Sequence, residues 1–455
     1  MAEWTRGVSV GGVVGAVLLS GMASAADPYA SNNGFYPTQQ EWSGPLRTAH
    51  FAYPRHAVEP AWKPGGPVGG RITTANAGRF MAALKKLVEP SLKKLVESPD
   101  AWDAAREGWY DMPWTGVEIG ADGNSDPCGG RDAILQSYSG QLLRQDSFAS
   151  SGLRVDMQNF TVIYYDPVSA AMLGRLWADP FRPAVKEARF PEGAIVVKAG
   201  AVTPTPDEWP VLEGTGVWHV YRPHIDPAVG HCVYDARKNP PVVQALRLLQ
   251  FDIIVKDRVA APATGWIFST FVYDKDAPGK GTWDKLVPLG AQWGNDPKYA
   301  REPDGNGPHG ELDETWINPK APKYALGTLG WGGRLSGPID VSQRHNVLLT
   351  DGTRLAKTEA SSCMSCHGTS QFPFTNNLYP SPNLQFPPED QTFLMHPPGS
   401  RQWARWNQNR PGRQAMSGDR NAVGLDYDML ITFSLGSVNS ATGEAEFAFR
   451  HPGVR

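Results

Sequence analysis

Short apolar runs bounded by turn residues occupy the middle of this chain, and they constrain its fold more than any other feature. Each run is rich in β-branched and aromatic residues and ends near glycine, proline or aspartate, which is typical of strands in antiparallel sheets. They read FTVIYYDP, GAIVVKAG, GVWHVYRP, FDIIVKD and TGWIFSTFVYD, starting at residues 160, 193, 216, 251 and 264. Two segments between them, PVSAAMLGRLW from residue 167 and PVVQALRLL from residue 241, have helix-like patterns.

We therefore expect an α+β fold, an antiparallel β-sheet body with peripheral helices and long Pro/Gly-rich loops. The 48 glycines, 40 prolines and 16 tryptophans of the 455 residues favour loops packed by aromatic side chains. Changes in composition predict four regions: a signal peptide (1–25), an extended arm and helical pair (26–114), the β-rich α+β body (115–350), and a C-terminal region (351–455) that is Pro-rich.

The helical pair is predicted from a duplication, since LKKLVEP at 84–90 recurs as LKKLVES at 92–98. The apolar residues of each copy have helical spacing, so each copy predicts one amphipathic segment. Pro90 lacks a backbone donor and is expected to interrupt the helix between them.

The N-terminus predicts export. Arg6 precedes an apolar run from Val8 to Leu19, and Ala23-Ser24-Ala25 supplies the small residues of a cleavage site. A buried N-terminal helix is the alternative. No later stretch approaches about 18 apolar residues, so we expect no membrane span after signal cleavage and a periplasmic or secreted protein. A net charge of -3 without a basic run gives no support for binding nucleic acid.

Near the C-terminus the chain reads SSCMSCHGTSQ, which contains the C-x-x-C-H signature of covalent haem c attachment. Cys363 and Cys366 would form thioethers with the porphyrin, and His367 would ligate the iron from the proximal side. We expect one covalent haem c. A structural zinc site would need a second pair of ligands at similar spacing, and a redox disulfide would favour a βαβ setting, neither of which the sequence offers.

The two remaining cysteines, Cys128 and Cys232, are predicted to form a disulfide because the expected compartment is oxidising. Two buried free thiols are the alternative, because the sequence does not give the distance between the two Cα atoms.

A sixth iron ligand is less well marked. Met416 and Met395 stand at plausible distances downstream of the motif, and His396 adjoins the second of these. The segment after the motif is Pro-rich, as in QFPFTNNLYPSPNLQFPPED, which disfavours a helical cytochrome c domain.

From about residue 159 to 368 the order of segments resembles the cytochrome P460 and cytochrome c′-β family. The matching segments are NFTVIYYDPVSA, FPEGAIVVKAG, FDIIVKD, TGWIFSTFVYD and CMSCHG. The resemblance implies an antiparallel sheet with helices and a five-coordinate haem with an open distal side. Members of the P460 type oxidise hydroxylamine and carry a lysine cross-linked to the porphyrin, whereas c′-β members bind gases such as nitric oxide.

This chain departs from that family in its size. It adds some 150 residues before the matching part, 87 after it, and a long insertion at about 202–249. Lys198 and Lys256 stand in the matching strands, but a solvent-facing strand lysine is the simpler interpretation of each.

These patterns predict a periplasmic c-type haem protein that performs electron transfer or small-molecule redox chemistry. The most specific version of this prediction is P460-like oxidation of a small nitrogen compound. The sequence does not identify catalytic residues. The expected partner is a redox protein or a small-molecule ligand or substrate. One alternative is a five-coordinate haem that binds nitric oxide or carbon monoxide without turnover, and another is a haem that passes electrons to a partner enzyme.

Overall fold

A computed structural model describes residues 27–116, 126–226, 231–384 and 391–442 of the chain. The predicted signal peptide lies outside these residues. Within them, no helix is both long and apolar enough to cross a membrane.

The fold is mostly antiparallel β-sheet with a few helices, which confirms the α+β class. The strands are β1 Tyr138–Leu143, β2 Met157–Tyr165, β3 Ile195–Val202, β4 Val217–Arg222, β5 Ile225–Asp226, β6 His231–Cys232, β7 Val242–Lys256, β8 Trp266–Tyr273, β9 Leu286–Gln292, β10 Thr315–Ile317, β11 Gln343–Leu349, β12 Arg354–Glu359, β13 Gln371–Phe372, β14 Phe393–Met395 and β15 Val423–Gly424. The α-helices are α1 Ala77–Glu97, α2 Ala104–Glu107, α3 Pro167–Leu176, α4 Lys323–Leu326, α5 Cys363–His367 and α6 Met429–Thr442.

Eight strands form the main sheet in the order β1-β2-β3-β7-β8-β9-β10, with β4 also paired to β7. All these pairs are antiparallel. Strand β7 is long enough to pair with β4 along its first half and with β3 along its second half. A smaller sheet holds β12, β11 and β14, and the last of these runs parallel to β11.

The helix predicted from residue 241 is wrong, because this segment is the first half of β7. Its residues Gln244, Leu246 and Leu248 are buried in alternation, which is the period of a strand rather than of a helix. Pairing with β4 supplies the backbone hydrogen bonds that local helical preference would otherwise have satisfied. The other predicted helix is present as α3, and Asp166 caps its first turn.

The predicted helical pair is instead one helix, α1, which continues through Pro90. The helix is not interrupted because its apolar face is continuous. Leu84, Val88, Leu92 and Leu95 are all buried against the main sheet. That burial offsets the backbone hydrogen bond lost at the proline.

The main sheet is covered on both faces. On one face, α1 packs on alternate residues such as Ile195, Val197 and Ile253. On the other, α3 and α6 pack on Val196, Trp266 and neighbouring residues. Chain that comes after residue 350 therefore covers part of the second face.

The predicted disulfide between Cys128 and Cys232 is confirmed. The two Cα atoms are 5.7 Å apart and the sulfurs are bonded, linking positions 104 residues apart in sequence.

Candidate functional site

The Cys-x-x-Cys-His motif forms a single helical turn, α5. Ser362 caps it, since the Ser362 Oγ accepts a hydrogen bond from the Ser365 N–H at 3.3 Å, and the Ser362 N–H donates to the Ser365 Oγ at 2.7 Å. The turn buries Met364 and Ser365 and leaves Cys363, Cys366 and His367 partly exposed. A spacing of three residues places both thiols on the same side of the turn.

Hydrogen bonds fix this turn over the second face of the main sheet. The Cys363 N–H donates to the Leu335 carbonyl at 2.9 Å, and the Met364 N–H donates to Oε1 of Gln292, the last residue of β9, at 3.1 Å. The Gln292 amide in turn donates to the Ser362 Oγ at 3.2 Å. Cys363 packs against two apolar clusters on the second face of the sheet. One is centred on α3 and α6, and the other lies at the opposite end of the same face.

The imidazole of His367 is oriented by a main-chain carbonyl. Its Nδ1 lies 2.8 Å from the Tyr427 oxygen, and its ring lies 4.8 Å from the ring of Phe268 on β8. A carbonyl only accepts, so Nδ1 carries the proton. Nε2 makes no hydrogen bond to any residue in the described part of the chain. Its lone pair is thus available to a metal.

Burial dominates the electrostatics of the three motif side chains. It lowers the pKa of His367 to about 4, so the imidazole is neutral near pH 7. Burial also raises the pKa of Cys366 to about 12 and that of Cys363 well above its ordinary value. Each of the three side chains nevertheless keeps some accessible surface.

A row of polar side chains crosses the sheet near the motif. Lys198 on β3 is paired in register with Asp252 on β7, which is paired in register with Thr270 on β8. The Lys198 ammonium forms an ion pair with Asp340, and both charges act on the pKa of all three motif side chains.

An amide group links the two carboxylates of this row. The Gln250 Nε2 donates to Asp252 and to Asp340, at 2.8 Å each. Burial raises the pKa of Asp252, while Lys198 opposes that shift. The row therefore places one cation between two carboxylates beside the motif, in a setting where desolvation strengthens their coupling.

Neither strand lysine faces solvent, in contrast to the simpler interpretation from the sequence. The Lys198 side chain is 18% exposed and belongs to the row beside the motif, whereas the Lys256 side chain is 6% exposed and forms an ion pair with Asp426. Both lie on the sheet face that the C-terminal part of the chain covers, which a strand pattern alone cannot indicate.

No hydrogen bond or ring contact joins Met395, Met416 or His396 to Cys363, Cys366 or His367 among the described residues. Met395 is fully buried in a cluster with Trp331, Val347 and Trp403 that contains no motif residue. Met416 is buried but outside the four apolar clusters, and its neighbour Ser417 bonds to the side chain of Gln371. The His396 ring lies 6.1 Å from that of Trp406.

Two open clefts lie elsewhere on the molecule. One, of about 320 Å³, is lined by His224, Val243 and Gln244, and the other, of about 300 Å³, by Arg47, Trp102 and Gln136. Neither is lined by a motif residue.

The sequence patterns missed the carbonyl of Tyr427, which comes 60 residues after His367. A backbone acceptor has no side-chain signature, so no motif could have marked it. The pair formed by Lys198 and Asp340 was equally hidden, because its members are 142 residues apart.

Comparisons with protein-family models, curated proteins and solved structures found no match for this chain.

Proposed function

We propose that this chain is a c-type haem protein of the periplasm that performs electron transfer or small-molecule redox chemistry. The single observation that carries the proposal is the state of His367: its Nδ1–H is held by a carbonyl, and its Nε2 is free beside two thiols on one capped turn. That arrangement fits covalent haem, whose iron supplies one-electron chemistry and coordination of small ligands.

The residues in and around the motif would have different roles in binding the haem. Cys363 and Cys366 would hold the porphyrin by thioether bonds, and His367 would supply Nε2 as a ligand to the iron. Tyr427 fixes the tautomer and the plane of that imidazole through its carbonyl. Lys198, paired with Asp340, would place an ion pair near the group.

A five-coordinate haem that binds a gas is the second candidate. It is favoured by the open distal side that the resemblance to the cytochrome P460 and cytochrome c′-β family implies. Within the first candidate, the most specific redox reaction is the oxidation of a small nitrogen compound, which the resemblance to the P460 family implies. A lysine cross-link is disfavoured for Lys198, because its ammonium is engaged in an ion pair with Asp340. Lys256 is engaged with Asp426.

Covalent haem can be tested by producing the exported protein in a bacterium that carries the haem c attachment machinery. The denatured protein should show the haemochrome spectrum of a thioether-linked haem, and Cys363→Ala with Cys366→Ala should abolish it. The matched control, Cys128→Ala with Cys232→Ala, removes the other cysteine pair and should keep the spectrum. Wild-type protein without covalent haem would contradict the proposal.

Carbon monoxide separates electron transfer from the two functions that need an open axial position, gas binding and small-molecule chemistry. A reduced spectrum that shifts when carbon monoxide is added indicates an open axial position and supports gas binding or small-molecule chemistry. An unchanged spectrum indicates a six-coordinate electron carrier.

A further inference from the structure

The Tyr427 carbonyl that holds His367 belongs to a short segment, residues 425–428, which crosses back over the main sheet. Both Asp426 and Tyr427 have left-handed backbone conformations, with φ of 54° and 65°. Neither is a glycine, and each such conformation costs on the order of 1 kcal/mol. The segment therefore keeps this shape only because surrounding contacts hold it.

The strongest of these contacts involve the carboxylate of Asp426, a residue that is 1% exposed. Its Oδ1 accepts from the Lys256 Nζ at 2.5 Å and from the Trp266 Nε1 at 2.9 Å. Its Oδ2 accepts from the Phe190 N–H at 2.9 Å. The Lys256 ammonium also lies 4.9 Å from the centre of the Trp266 ring. One carboxylate thus ties the segment to β7, β8 and the chain before β3.

The other residues of the segment are held by hydrogen bonds that are not part of an ion pair. The Leu425 N–H donates to the Ser370 carbonyl at 3.1 Å, and the Asp428 carboxylate accepts from the Tyr165 hydroxyl at 2.9 Å. The Tyr427 hydroxyl donates to the Arg410 carbonyl at 3.0 Å. The Tyr427 carbonyl therefore directly follows Asp426, the residue that pairs with Lys256. Hydrogen bonds hold the chain on both sides of it.

We propose that the ion pair between Lys256 and Asp426 is a positioning device for the iron ligand His367. By holding Asp426 in its left-handed conformation, the pair keeps the Tyr427 carbonyl within hydrogen-bond distance of Nδ1. A firm hydrogen bond at Nδ1 makes Nε2 a stronger donor to the metal, which favours the oxidised iron and lowers the reduction potential. This inference rests on the proposed haem attachment, and it assigns a role to the chain that follows the motif.

The test is Lys256→Met in the haem-loaded protein, because methionine keeps an unbranched apolar side chain as far as Cε and removes the charged amine. The reduction potential should shift to a more positive value, and the iron–histidine stretching frequency in the resonance Raman spectrum should fall. Haem content should stay at the wild-type level, since both thioether cysteines are intact. The matched control is Lys94→Met, which removes an ion pair with Glu107 at 2.7 Å on the opposite side of the sheet and should change neither value.

Trp266→Phe provides a milder second variant, because it removes one donor to Asp426 and keeps the aromatic packing. It should shift the potential in the same direction by a smaller amount, and it decides the question if Lys256→Met does not fold. Wild-type potential and frequency in a folded, haem-loaded variant would overturn the inference. Failure of the haem proposal looks different, since the wild-type chain itself would then carry no covalent haem.

Discussion

At the scale of single residues, the charges beside the motif depend on one another. Lys198 is the cation between two carboxylates, Asp252 and Asp340, and its ammonium forms an ion pair with the second of them. Removing one partner of a buried ion pair leaves an uncompensated charge, which costs more than the pair itself contributes.

We therefore predict that Lys198→Met lowers the free energy of unfolding by about 2 kcal/mol, a discounted figure because Asp340 is partly exposed. Adding Asp252→Asn should recover part of the loss, since it removes one of the stranded charges. Urea unfolding followed by tryptophan fluorescence measures both effects.

The control for this prediction is Lys298→Met, which breaks an exposed pair with Asp313 and should leave the urea midpoint unchanged. A Lys198→Met protein as stable as the wild type would contradict the view that this lysine compensates buried carboxylates.

At this scale the sequence marked three motif side chains as candidates but did not indicate what surrounds them. Cys363, Cys366 and His367 could be selected because their spacing is itself chemical information. Lys198 and Tyr427 could not, because their proximity to the motif arises from pairing between distant segments.

At the scale of elements, helix α3 shows how burial changes the pKa of a capping residue. Asp166 accepts hydrogen bonds from the Ser169 and Ile195 N–H groups, at 2.8 and 3.1 Å, and is buried. Burial raises its pKa to about 6 from the model-compound value of 3.8. The folded protein thus binds this proton more tightly than the unfolded chain does.

The contribution of this proton to stability is fully present below about pH 4 and is lost as pH rises through about pH 6. Asp166→Asn keeps an oxygen acceptor and cannot titrate. We predict that the stability of the wild type relative to this variant falls by about 2 kcal/mol between about pH 4 and about pH 7. Urea unfolding across that range measures it.

Asp207→Asn serves as a control at an exposed position, and its stability curve should run parallel to that of the wild type. If the curve of Asp166→Asn also runs parallel, Asp166 does not bind its proton more tightly in the folded state.

Strand prediction succeeded where composition and turn residues agreed, as in β2, β3, β4 and β8. It failed for the first half of β7, where a helix-like apolar spacing was overridden by pairing with β4. It also failed at Pro90, because continuous burial of one face kept α1 intact. In both cases the deciding energy is tertiary, so a local pattern cannot contain it.

At the scale of the whole molecule, the chain after the motif completes the sheet face on which the motif lies. Leu430, Ile431 and Leu435 of α6 share one apolar cluster with Met364 of the motif and with Phe268 of β8. The sequence indicated a sheet and a C-terminal haem motif, but not that later residues return to cover both. Contacts over such separations leave no periodic trace in the sequence.

Covalent haem at one turn is the central claim, and peptide mass spectrometry of the exported protein tests it directly. Trypsin should release residues 358–401 as one peptide, because no lysine or arginine lies between Lys357 and Arg401. The account predicts that this peptide carries the mass of one haem, with fragmentation placing it on Cys363 and Cys366. The same peptide with free thiols, or with a disulfide between its two cysteines, would contradict the account.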